Sequence, residues 1–135
     1  MSKKRVLIVD DEAVVIRVLR LALERAGYEV TSRSDGQAAL ERIMEQAPDI
    51  LITDIEMPRM TGEELCKALQ ERFPDRDFPI FVATSVTAME HRVWSSEISK
   101  LMFLEKPVSA RKLLAALEEY FTAATHATAV LRRAL

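Results

Sequence analysis

The chain has a single cysteine, Cys66, so no internal disulfide can form and no cysteine cage is available to a metal. Cys66 reads instead as a small apolar residue on a helix face. Long apolar runs are also missing. The basic start, Met1 to Arg5, is followed only by Val6 to Val9, too short for a signal peptide or a membrane span. The expectation is a protein that stays in the cytoplasm. A net charge of −2 gives no electrostatic reason for direct binding to nucleic acid or to a membrane. Internal repeats and low-complexity segments are absent. With 135 residues there is room for one domain and not for a second.

What the chain does contain is a series of short apolar runs, each closed by turn or charged residues: Val6 to Val9, Ile50 to Thr53, Ile80 to Ala83 and Leu101 to Leu104, with Tyr28 to Thr31 as a less apolar fifth. Such runs are characteristic of strands covered on both faces, as in a parallel sheet between helices. Between them the period becomes helical. From Ala13, residues Val14, Val15, Val18, Leu19, Ala22 and Leu23 fall on one side and Arg17, Arg20, Glu24 and Arg25 on the other, with Gly27 as the residue that closes the helix. Further helices are expected from about Gln37 to Gln46, Glu63 to Arg72 and Ala88 to Ile98, and a last one capped by Ser109. Alternating strands and helices with short connections and right-handed crossovers predict an α/β fold: a doubly wound, five-stranded parallel sheet in three layers.

The chemistry collects at the strand ends. Asp54 closes the central run; Asp10 and Asp11 close the first, Thr84 the fourth and Lys106 the fifth. In open α/β sheets this carboxyl edge is where ligands bind, because its loops are free of packing duty. A flavodoxin-like strand order of 2-1-3-4-5 makes the first and third strands neighbours, which brings Asp10, Asp11 and Asp54 together. Carboxylates that close repel one another and call for a cation. With oxygen ligands only, Mg²⁺ or Mn²⁺ is the expected ion. A metal held by carboxylates suits phosphate, and Lys106 and the Thr84 hydroxyl would offer a positive charge and a donor to phosphoryl oxygens.

These features, with Met57-Pro58 and Gly62 following Asp54 and Pro107 following Lys106, resemble the receiver domain of two-component response regulators (CheY-like) over about Lys4 to Phe121. The resemblance implies that Asp54 accepts a phosphoryl group from a sensor histidine kinase or phosphotransfer protein. It also implies that Asp10, Asp11, Asp54 and the backbone carbonyl of Glu56 hold Mg²⁺, and that Lys106 pairs with the phosphorylated carboxylate. Such a domain is a self-phosphorylating and self-dephosphorylating switch, not a turnover enzyme. The resemblance further implies that Thr84 is drawn toward the phosphoryl oxygens while Phe103 turns inward, so that the face of the fourth helix, fifth strand and fifth helix changes its preference for a downstream protein partner. A cis Lys106-Pro107 peptide is part of the same expectation.

The chain departs from the family pattern between Val86 and Met102, where Ser95 to Lys100 has no glycine; a fourth helix that is shorter, shifted or mobile is expected. Val86, two residues after Thr84, cannot orient an attacking water, which predicts a long-lived phospho-Asp54. His91 and His126 read as solvated, and Trp94 as either packed against the sheet or part of a partner surface. Residues 1–122 are expected to form the receiver and 123–135 a helical extension or tail. Ala110, Leu114, Leu117, Phe121, Ala124, Thr128, Leu131 and Leu135 have the spacing of a coiled-coil seam, whose later part would pair with a second copy, lead to an output domain, or fray. Two rival readings are a haloacid-dehalogenase-like phosphohydrolase and an interaction module indifferent to phosphorylation. The first wants a second Asp where Glu56 stands and a cap segment over the substrate. The second leaves the strand-end residues without a role.

Overall fold

The structure, a computed structural model, describes residues 3–85 and 91–134, with side chains through residue 123. Its elements run β1 (Arg5–Val9), α1 (Ala13–Arg25), β2 (Glu29–Arg33), α2 (Gly36–Glu45), β3 (Ile50–Asp54), α3 (Gly62–Arg72), β4 (Ile80–Thr84), α4 (Arg92–Ser95), β5 (Leu101–Glu105) and α5 (Ala110–Ala134). The strands form one parallel sheet in the order β2-β1-β3-β4-β5, as expected.

Successive side chains of a strand point to opposite faces, and here both faces are covered. Leu7, Val9, Leu51, Ile80 and Val82 pack on one face with Leu40 and Ile43 of α2 and Leu65 and Leu69 of α3. Val6, Ile8, Ile50, Ile52 and Phe81 pack on the other with Leu19 and Leu23 of α1 and Leu113 and Leu117 of α5. This is why β3 reads as an unbroken apolar run: all five of its residues are buried, including Thr53 and Asp54. Each fully buried Leu, Ile or Val contributes about 1.5–3 kcal/mol relative to exposure, so the sheet is a rigid base for its loops.

Helix α1 corrects one expectation. Val14 and Val18, expected on its covered side, are 67% and 54% exposed, as is Leu21 at 53%. Leu19 and Leu23 are buried, with Val15 and Ile16 half-buried beside them. Apolar residues occupy more of this helix's circumference than the sheet can cover, and tertiary packing chose the sector. Gly27 closes α1 at φ +97°, a backbone conformation that costs glycine little.

The described part of the fourth helix, Arg92–Ser95, is shorter than the span Ala88 to Ile98 drawn from the sequence, in line with the departure from the family pattern there; residues 86–90, Val86 among them, lie outside the described residues. The chain then turns into β5 with Lys100 at φ +51°, a non-glycine residue taking the left-handed conformation. Trp94 is packed in the core at 8% exposure. The long α5 continues unbroken to Ala134. On it Leu113 and Leu117 are fully buried, while Leu114 and Phe121 of the expected seam are half-buried. Ala124, Thr128, Leu131, Leu135 and His126 lie outside the described side chains. Among the described residues, no helix is long and apolar enough to cross a membrane.

Candidate functional site

The parallel register aligns the strand ends. Thr53 of β3 stands opposite Val9 of β1, Asp54 opposite Ala83 of β4, and Thr84 opposite Glu105 of β5, so Asp10, Asp54, Thr84 and Lys106 all leave the sheet at one edge. Asp54, Thr84 and Lys106 open into a cavity of about 570 Å³, lined also by Asp11, Glu12, Glu56 and His91, among others.

The loop after β3 is drawn tightly around Asp54. The Gly62 amide donates to the Ile55 carbonyl at 2.6 Å, and a Cβ at Gly62 would stand 2.2 Å from the Asp54 carbonyl oxygen. Thr61 and Glu64 form a reciprocal capping box that starts α3 immediately afterwards. Arg59, at φ +64°, reaches across to Asp35 at 2.5 Å, tying this loop to the N-terminus of α2. The backbone has little room to carry Asp54 elsewhere.

Asp54 is 5% exposed. Its Oδ1 accepts hydrogen bonds from the Lys106 ammonium at 2.7 Å and from the Ile55 amide at 2.8 Å. Burial works against the charge on Lys106, but the hydrogen bond to Asp54 and the attraction of Asp54, Asp10 and Glu12 prevail and hold its pKa above the ordinary lysine value. Asp10 is also buried, and its Oδ1 accepts from the Glu12 amide at 2.9 Å. Desolvation pushes the Asp10 carboxyl upward; the bond from Glu12 opposes this and the negative charge of Asp54 adds to it.

Carboxylate oxygens of Asp10, Asp11 and Glu12 lie within 4.8 Å of one another. An all-oxygen set with mutual repulsion, including a carboxylate whose charged form burial disfavours, suits a hard divalent cation. Of the residues expected to hold it, Asp11, Asp54 and Glu56 line the cavity, while Asp10 does not line it but keeps its carboxylate beside those of Asp11 and Glu12; Glu12 joins them, signalled only by its place in the acidic run.

Thr84 is 6% exposed. Phe103 is half-buried and packs against the core on the α2 and α3 face. The Lys106-Pro107 peptide is cis, as expected. His91 is a correction: it is half-buried and lines the cavity instead of standing free in solvent. Its Nε2 lies 3.5 Å from Thr84 Oγ1, its Nδ1 accepts from Trp94 Nε1 at 3.1 Å, and its ring stacks on Phe103 at 5.9 Å and 24°. Trp94 three residues on was the available signal, since that spacing puts two side chains on one helix face.

A family model for the response regulator receiver domain matches residues 6–118. The chain is 34% identical over 110 residues to the alkaline phosphatase synthesis transcriptional regulatory protein PhoP of Bacillus subtilis, covering 82% of this chain and 45% of that protein. It is 39% identical over 111 residues to the response regulator MprA of Mycobacterium ulcerans, covering 82% of this chain and 47% of that one. The chain thus spans about half the length of the curated relatives it matches. Among solved structures, the chemotaxis response regulator CheY4 of Vibrio cholerae superposes with a TM-score of 0.80 at 31% identity, over 87% of this chain and 98% of that chain. A CheY-like receiver domain protein from Methanospirillum hungatei does so at 0.80 and 28%, over 90% and 96%.

Proposed function

This chain belongs to the response regulator receiver domain family, and on that premise we propose that Asp54 accepts a phosphoryl group from a sensor histidine kinase or phosphotransfer protein, making the domain a phosphorylation-controlled switch. The observation that carries this is the Asp54 carboxylate, buried yet opening into a cavity, paired with Lys106 at 2.7 Å beside an acidic cluster. With Oδ1 already accepting two hydrogen bonds, Oδ2 is the oxygen that attacks phosphorus. The new P–O bond gives an acyl phosphate, and the bond to the donor breaks with its electrons leaving on the donor.

Asp10, Asp11, Asp54 and the Glu56 main chain would hold Mg²⁺ or Mn²⁺, with Glu12 close by. When bound, the ion neutralises charge between carboxylates and phosphoryl oxygens. Lys106 then faces the phosphorylated carboxylate as its charge partner, and Thr84 offers a hydroxyl to the phosphoryl group. Phosphate adds about −1.5 to −2 charge. That charge draws Thr84 inward, Phe103 follows, and the surface of α4, β5 and α5 changes its preference for a downstream protein. In this scheme residues 1–122 are the receiver, and the extension of α5 beyond them is available for pairing with a second copy or for connection to an output domain.

Intact-mass measurement after incubation with Mg²⁺ and acetyl phosphate tests the reading. One added phosphoryl group is expected in the wild type and none in Asp54→Ala or in the presence of a chelator. Steady turnover of p-nitrophenyl phosphate would favour a phosphohydrolase instead. Glu56 in place of the second Asp that such enzymes want speaks against that alternative.

A further inference from the structure

We propose that His91 is a further ligand of the phosphoryl group, a hydrogen-bond donor held in one tautomer by Trp94; this rests on the reading of Asp54 as the phosphoryl acceptor. The indole N–H can only donate. With Trp94 Nε1 at 3.1 Å from His91 Nδ1, that nitrogen must present its lone pair, so a neutral imidazole carries its proton on Nε2. Nε2 is the nitrogen beside Thr84, 3.5 Å from its Oγ1, and His91 shares the cavity wall with Asp54, Thr84 and Lys106.

The ring is held as well as its tautomer. It stacks on Phe103 at 5.9 Å and 24° and meets the edge of Trp94 at 5.8 Å and 73°, and Trp94 itself is 8% exposed and packs on Phe103 at 6.2 Å. A side chain serving only to fill space needs no such arrangement of its nitrogens. The opposite tautomer would turn a lone pair toward the cavity and repel an anion there. In the observed one, an N–H engaged at the long limit of a hydrogen bond is available to shift to a stronger, charged acceptor. No proton moves: Nε2 keeps its hydrogen and donates it to a phosphoryl oxygen beside those served by Lys106 and Thr84. Because the same ring stacks on Phe103, arrival of the phosphoryl group is felt directly by the aromatic cluster.

The test uses the full chain with Mg²⁺ and beryllium fluoride, a phosphoryl mimic for Asp54, in wild type, His91→Phe and Trp94→Phe. His91→Phe keeps an aromatic ring but removes both nitrogens; a hydrogen bond to a charged group predicts about tenfold weaker binding or more. Trp94→Phe keeps the imidazole but releases its tautomer, predicting a smaller loss in the same direction. Nitrogen chemical shifts of the wild-type imidazole, assigned by comparison with His91→Phe, should show the Nε2–H form and a change at Nε2 when the mimic binds. Wild-type affinity in His91→Phe, or an Nδ1–H tautomer in the wild type, overturns the proposal while leaving Asp54 as acceptor. The tautomer measurement stands even if His91→Phe fails to fold, because replacing His126, the one other histidine of the sequence, assigns the His91 signals equally well. If the wild type takes up neither the mimic nor phosphate from acetyl phosphate, the reading of Asp54 falls and the role of His91 with it.

Discussion

Asp10 and Gly62 serve the site at some cost to the fold. Burial and the nearby Asp54 raise the Asp10 pKa above its ordinary 3.8, so the charged form is disfavoured in the folded chain. A carboxyl whose folded pKa is raised penalises folding in full above that value, and the penalty fades as the pH falls to the ordinary, unfolded value. Asp10→Asn retains an acceptor for the Glu12 amide and removes the charge. Its melting temperature should therefore exceed that of the wild type near neutral pH without divalent ions, whereas the rise on adding Mg²⁺, expected in the wild type, should disappear. Thermal scans with and without the ion check both halves. At Gly62 the constraint is steric. A methyl group there would meet the Asp54 carbonyl oxygen at 2.2 Å and the Ile55 Cα at 2.8 Å, both backbone atoms with no flexible end to move aside. Gly62→Ala should destabilise by about 1–3 kcal/mol or more in urea unfolding, and lower phosphoryl uptake by displacing Asp54.

At the scale of elements, the junction of α2 with the β3-α3 loop is held by Asp35. Its Oδ1 accepts from the Ala38 amide at 2.8 Å as the α2 N-cap, and its Oδ2 pairs with Arg59. The Arg59 hydrogen bond first, and the Ala38 amide second, hold the Asp35 carboxyl below its ordinary 3.8. A depressed carboxylate contributes stability that is complete above its unfolded pKa and is lost as the pH falls through the folded value. Asp35→Ala should cost about 1 kcal/mol from the cap alone. Asp35→Asn, which caps comparably, should lose less at neutral pH and show a smaller fall in urea midpoint on acidification. Midpoints at about pH 7 and about pH 3, on either side of the unfolded carboxyl pKa, separate the two contributions.

For the whole molecule, the parallel sheet with two covered faces makes the interior inaccessible until the chain opens. Cys66 reports on this, because it is fully buried on α3 and burial pushes its thiol up to about 12. A thiol reagent at neutral pH should leave it unmodified in the native protein and label it only at the rate of opening, with labelling quickened by destabilising variants such as Gly62→Ala. Rapid native labelling would mean that the α2 and α3 face is far looser than its packing indicates.

Much of this was written locally in the chain. Unbroken apolar runs ending in Asp10, Asp54, Thr84 and Lys106 disclosed the parallel strands and the edge at which the chemistry sits, because strand periodicity and turn residues act over a few positions. Gly27, Ser109 and Pro107 marked their boundaries for the same reason. Contacts distant in sequence were not legible. Which apolar side of α1 is covered, leaving Val14 and Val18 outside, depends on how the helix rotates against a sheet assembled from other segments. The Asp35 to Arg59 tie depends on two loops meeting, and the placing of His91 between Thr84, Trp94 and Phe103 on β4, α4 and β5 coming into register. The sequence alone thus determined the strands, their ends and the kind of chemistry those ends support. Only the tertiary structure decided which side chains share a wall, because that is settled by packing between elements and not by the spacing within any one of them.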